Sequence, residues 1–396
     1  MQPIFPQEVI DDLIDWVGVS SVGQRDPHLR SCSLVSRNWV ERSRRHLFYN
    51  IELASTPNID NWIGNIRPGA GGVSRYVKRL WMGCNWDQWS QRFSSIEHLK
   101  SFTHVEELRL TYWRGGQATK EEVEEAFGGF GLSVRSLSVS LPRGDAGSFL
   151  YLLSLFSHLD DLSIWTSCLD ESPDPLPRNI VSVRGRLVLD GLQEHLADAL
   201  IGSGLKPKVL KISIPRLISY DGLLMTCAPS VETISISPTF GQCLLILRLA
   251  QSLTLVETGV CLDHTSLAGF TALRRVEIKL MHPTCFFADV HTILRPVPSP
   301  YLERVTFCFL QNIRRADWEG PETAETWINA DDVLYELSTR WPQRGLLLVI
   351  KGKFETTPPN EDLIGTMRRL LPRFMDVGTV ETEISTDIAQ WPEHGL

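Results

Sequence analysis

One short phrase, apolar-x-x-apolar-x-apolar, constrains this chain more than anything else in it. Full copies are Val77-x-x-Leu80-x-Met82, Val105-x-x-Leu108-x-Leu110, Val134-x-x-Leu137-x-Val139, Leu159-x-x-Leu162-x-Ile164, Val231-x-x-Ile234-x-Ile236, Leu273-x-x-Val276-x-Ile278 and Leu302-x-x-Val305-x-Phe307. Weaker copies lie at Leu187-x-Leu189, Leu210-x-Ile212-x-Ile214 and Leu253-x-Leu255. Alternate side chains share one face of a strand, so each copy predicts a half-buried strand. Measured between middle apolar residues from Leu80 to Val305, the steps are 28, 29, 25, 25, 23, 24, 19, 23 and 29.

Helix-like stretches lie between the copies: Lys120 to Phe127, Ser148 to Phe156 and Gln193 to Ile201. A strand and a helix every 19–29 residues resembles a leucine-rich repeat, whose period covers this range. Such a unit cannot bury its own apolar face, so the resemblance implies stacking into a curved solenoid. The copies depart from that family's pattern, which places Asn or Cys three residues after the last Leu. Only Asn85, after Met82, fits. A doubly wound sheet also alternates strand and helix, but it would want fewer, longer strands and a Gly-rich phosphate turn. In a solenoid the residues between the apolar anchors face the concave side, which makes Trp81, Arg109, Trp165, Lys211, Ser235, Glu277 and Lys279 the candidate target-binding residues. The run Leu346 to Ile350 has no polar alternation and predicts a buried strand, with helices over Asp332 to Trp341 and Glu361 to Leu371.

The first fifty residues follow another rule. Pro6 suits a helix start, and Glu8, Asp11 and Asp12 place negative charge in its first turns. Val9, Leu13, Trp16 and Val17 recur at helical spacing, Gly18 and a polar run to Pro27 break the pattern, and Leu29, Cys32, Leu34, Val35 and Trp39 resume it. Arg42, Arg44, Arg45 and His46 load the end of the last helix with cations. Three short helices bury too little surface to be stable alone, so this motif needs a neighbour or a partner.

Phe5-Pro6-x-Glu8, then Cys32-x-Leu34-Val35-x-Arg37-x-Trp39, then Leu47-Phe48 resembles the F-box in its fungal form. The departure is Phe5, where that family has Leu. The resemblance covers roughly an eighth of the chain. It implies docking onto a Skp1-like adaptor and, through it, a cullin ubiquitin ligase. Pro6, Leu13, Leu34, Val35 and Trp39 would form or support the adaptor-facing surface. The alternative is a leucine-rich-repeat scaffold unrelated to ubiquitination, with the N-terminal helices as a repeat cap and their apolar stripe hidden.

The expected class is therefore α/β: a helical F-box-like motif over 1–51, a linker over 52–75, an irregular leucine-rich-repeat-like solenoid over 76–375 and a loose tail over 376–396. The formal charge of -8 gives no reason to expect nucleic-acid partners, and no run of 18 apolar residues predicts a membrane helix. Eight scattered cysteines without a pairing pattern, several in apolar segments, point to the cytoplasm or nucleus. No phosphate-binding glycine loop, nucleophile elbow or His-Glu-x-x-His occurs, so neither enzyme chemistry nor a cofactor is expected. Cys261-x-x-His264 is the nearest thing to a metal pair, and zinc would want two further ligands nearby. Cys84 with Trp86 and Trp89 reads as a packed aromatic loop.

Overall fold

The computed structural model of the chain describes residues 6–19, 22–53, 72–83, 96–111, 119–141, 144–166, 169–170, 180–191, 194–214, 221–238, 267, 269–280, 293–313, 321–340, 345–354 and 360–384. The chain divides into two compact units, Met1–Ser182 and Val183–Leu396.

The first unit opens with three helices: α1 (Gln7–Gly18), α2 (Val22–Val35) and α3 (Arg37–Leu47). Pro6 precedes α1 with φ -55, and the Ile10 N–H donates to its carbonyl at 3.3 Å. The polar run before Pro27 does not break the structure as the sequence suggested. Instead α2 begins at Val22 and carries Pro27 inside it. Pro27 is the sixth residue of the helix, past the first turn, so it removes one ladder bond, the one that the Gly23 carbonyl would otherwise accept. Ser36 caps α3, its hydroxyl accepting from the Asn38 N–H at 3.3 Å.

The expected linker at 52–75 is also displaced. The chain passes from α3 through Phe48 and Tyr49 straight into β1 (Asn50–Leu53), which pairs in parallel with β2 (Arg79–Gly83). Residues 54–71 lie outside the described residues. The ladder continues with β3 (Glu107–Thr111), α4 (Lys120–Phe127), β4 (Ser136–Leu141), α5 (Ala146–Ser154) and β5 (His158–Thr166), every neighbouring pair of strands parallel. Parallel neighbours need a crossover, which α4 and α5 supply between the later pairs. Thr119 and Glu122 close a reciprocal capping box on α4.

The second unit repeats the scheme. Its strands are β6 (Ser182–Asp190, starting at the boundary), β7 (Val209–Ile214), β8 (Thr233–Pro238), β9 (Arg275–Leu280), β10 (Arg304–Ile313), β11 (Leu347–Phe354) and β12 (Thr379–Ile384), and each pairs in parallel with the next. The helices α6 (Glu194–Ile201), α7 (Asp221–Cys227), α8 (Pro321–Arg340), α9 (Asn360–Leu370) and α10 (Pro372–Met375) lie between strands. Leu346, Leu348, Val349 and Ile350 are buried, as their unbroken apolar run requires. The stretch expected to be a loose tail instead supplies β12, because its alternating Thr379, Glu381 and Glu383 against Val380 and Thr382 suit an edge strand beside β11.

All seven full copies of the recurring phrase bury all three of their apolar residues. Register holds from strand to strand: Leu80, Leu108, Leu137 and Leu162 are successive partners, as are Leu187, Leu210, Ile234, Val276 and Val305. One backbone device recurs at the strand starts. The carbonyls of Lys78, Glu106 and Arg135, and in the second unit of Lys208, Glu232 and Arg274, each accept from two consecutive N–H groups of the next strand. The copy at Leu253 lies outside the described residues.

Candidate functional site: an exposed apolar helical face

Two apolar stripes run along α1. Ile10, Ile14 and Val17 turn inward and form a small core with Leu29, against which Cys32, Trp39 and Leu47 also pack. Val9, Leu13 and Trp16 turn outward and are 43%, 58% and 69% exposed. A helix of a globular unit needs one apolar stripe, and its opposite face is ordinarily polar. The last turn of α2 adds Leu34 and Val35, 87% and 64% exposed.

A polar clamp fixes the orientation that turns the second stripe outward. Arg42 on α3 donates from Nε to Asp15 Oδ1 at 2.8 Å, from Nη2 to Asp15 Oδ2, and from Nη1 to Asp11 Oδ2 at 3.3 Å. His46 Nε2 lies 2.8 Å from the same Asp15 Oδ1. The Arg42 hydrogen bonds, with His46 adding to them against a smaller cost of burial, hold the Asp15 carboxyl well below the usual carboxylate range. Gly18 lets α1 end against this clamp, since a Cβ there would lie 2.3 Å from His46 Nδ1.

The helices are also anchored to the strands that follow. Glu41 on α3 accepts from Arg75 Nη2 at 2.9 Å and from the Tyr76 hydroxyl at 2.5 Å. The Tyr76 hydrogen bond leads in holding the Glu41 carboxyl below its ordinary value, with Arg75, Arg45 and Arg44 assisting. The contact engages α3 and leaves the outer stripe of α1 open.

Of the residues assigned from sequence to the adaptor face, Pro6, Leu13, Leu34 and Val35 are exposed. Trp39 is half-buried against the helical core, so it supports the motif from within. Val9, Trp16 and Val19 are exposed neighbours that the sequence assignment left out. The signal was present in α1, where Val9, Leu13, Trp16 and Ile10, Ile14, Val17 are two sets with the same spacing.

The residues assigned to target binding lie on the outward face of the strands. In the first unit Trp81 and Arg109 are register partners, with the guanidinium 4.7 Å from the indole centre. Trp81 Nε1 donates to Thr111 Oγ1 at 3.2 Å. Trp165, 37% exposed, sits further along that face beside Ser140. In the second unit Lys211 is exposed, and Ser235 Oγ donates to Glu277 Oε1 at 3.1 Å. Lys279 Nζ is 3.8 Å from the same carboxylate oxygen. Arg184, Arg186, Arg275 and Arg304 share this face and were missed. All but Arg184 stand immediately before a middle anchor (Leu187, Val276 or Val305), a position the anchor pattern had passed over.

Asn85, Cys84, Trp86, Trp89, Cys261 and His264 lie outside the described residues. Cys308 is buried between Lys279 and Lys351 in the ladder, and burial pushes its thiol up to about 12. Among the described residues no helix is long and apolar enough to cross a membrane. Comparison with models of known families finds no match for the chain, and comparison with curated proteins finds none either.

Proposed function

We propose that the chain is a substrate-recognition subunit of a Skp1–cullin–F-box type ubiquitin ligase. The outer stripe of α1 and the end of α2 grip a Skp1-like adaptor, and the strand ladder, read as a leucine-rich-repeat-like solenoid, presents a target protein. The observation that carries this reading is the exposure of Leu13, Trp16, Leu34 and Val35 on a helical unit whose own core is already filled by Ile10, Ile14 and Leu29. Exposed apolar groups clustered on one small unit are the mark of a protein interface. Under this reading the chain contributes proximity, raising the effective concentration of target beside the transfer machinery.

The capping alternative draws support from the Glu41 contact with Arg75 and Tyr76, which does tie the helices to the strands. It also requires a hidden apolar stripe, and the stripe is open. The test is binding of purified Skp1-class adaptor to the intact chain by calorimetry. Leu13→Asp with Leu34→Asp should abolish binding while the circular dichroism spectrum is retained, since both side chains face solvent. Absence of binding by the parent chain, or equal binding by the double variant, would remove the proposal. Trp39→Ala is the poorer probe because it opens the helical core.

A further inference from the structure

Within the second unit, the charges at the strand entrances are paired off on one side of the strands, while three cations on the other side, Arg184, Lys211 and Arg275, have no ionic partner among the described residues. Residues at the strand entrances alternate in sign and form ion pairs, Lys208 with Glu232 at 3.8 Å and Arg274 with Glu303 at 3.1 Å. One residue further along, side chains point to the opposite face. There Arg184 and Arg186 on β6, Lys211 on β7 and Arg275 on β9 are all exposed, and Arg304 on β10 is half-buried. Among the described residues Arg184, Lys211 and Arg275 make no ion pair or side-chain hydrogen bond.

Two details make this arrangement costly without a ligand. Arg275 and Arg304 are register partners, and like charges side by side on a sheet repel. Glu383 on β12 neutralises Arg304 at 3.0 Å, while Arg275 has no such relief. Two of the acidic groups on this face are already engaged: Glu277 by Ser235 and Lys279, Glu383 by Lys351 and Arg304. Between the cations β8 contributes Thr233, Ser235 and Ser237, a strip of hydroxyl-bearing residues without charge. The chain as a whole carries -8, so this strip reverses the prevailing sign.

We infer that the entrance half of this face is a docking strip for an extended Asp/Glu-rich segment of the target protein. The inference deepens the proposed function and rests on its assignment of target binding to the strand ladder. Neighbouring strands are about 4.8 Å apart, so the four steps from β6 to β10 span about 19 Å, or about six extended residues. A carboxylate on such a segment would sit beside Arg275, another near Lys211 and a third by Arg184 and Arg186. Polypeptide is favoured over nucleic acid because Glu277 and Glu383 share the face and would repel a continuous phosphate backbone.

The experiment uses the full chain without adaptor and a fluorescent hexaglutamate peptide, read by anisotropy at low salt. Controls are the hexaglutamine peptide and a single-stranded thymidine oligonucleotide of equal charge. The glutamate peptide should bind, the glutamine peptide should not, and the oligonucleotide should bind more weakly. Lys211→Glu with Arg275→Glu should weaken peptide binding about tenfold or more, whereas Arg135→Glu on the first unit should leave it unchanged. Salt near 1 M, where screening acts within about 3 Å, should abolish it. Equal binding of both peptides, an unaffected double reversal or tighter oligonucleotide binding would overturn the inference. Adaptor binding measured on the same double variant should stay intact. Loss of peptide binding with adaptor binding retained in the parent chain therefore condemns the strip alone, and the converse condemns the docking reading alone.

Discussion

The three N-terminal helices and the strand ladder treat apolar side chains in opposite ways. In the ladder every apolar residue of the full recurring phrase is withdrawn from water, and the alternate positions are mostly polar, with Trp81 and Trp165 as exceptions. In the helices Ile10, Ile14 and Leu29 satisfy a minimal core while Leu13, Trp16, Leu34 and Val35 remain in water. The ladder is stabilised by what it hides. The helical motif is held by a few apolar residues and a charged clamp, and keeps its remaining apolar surface for something else.

Substitutions should widen or collapse that contrast. The largest effect is expected from Leu162→Ala in β5, fully buried beside its register partner Leu137, which should lower unfolding free energy by about 2–5 kcal/mol in urea. A cost under about 1 kcal/mol would mean that the ladder core is looser than its burial indicates. Gly18→Ala comes next. Its Cβ would displace the His46 ring from Asp15 and should cost about 1–3 kcal/mol. The loss should appear in hydrogen exchange of α1 and α3 before that of β3 and β4.

The smallest effect should come with acid. Asp15 is held below its ordinary value, so its contribution is complete above the usual carboxylate range and fades as pH falls toward the lower folded value. Its side chain is 41% exposed, so solvent screens the clamp and the change should be slight. Loosening of α1 between pH 5 and 2, absent in Arg42→Met, is the expected signature; identical titrations of the two proteins would show that the clamp does not hold α1.

Much of the ladder was legible in the sequence, because a period of two in the apolar residues states which side chains face inward whatever the neighbouring strand contributes. The helices Lys120 to Phe127 and Gln193 to Ile201 were legible for a related reason: each carries its own apolar face, and Thr119 with Glu122 closes a capping box on the first. The helical motif was legible as three helices, but not for which stripe it buries. Val9, Leu13 and Trp16 are as apolar and as regularly spaced as Ile10, Ile14 and Val17. The strand at Thr379 was hidden because an edge strand with polar residues has the composition of a tail until β11 lies beside it.

The sequence by itself determined the positions of the strands that carry the recurring phrase, their inward residues and the helical start, since these depend on neighbours within a few residues. Tertiary structure decided the rest. Asp15 meets Arg42 and His46 only when α3 folds back on α1, and that contact selects the outward stripe. Arg275 lies beside Arg304, with Glu303 turned to the opposite face, only because the register across residues far apart in the chain is fixed by burial of Val276 against Val305. Pairings of this kind are long-range and charge-specific, and no local pattern encodes them.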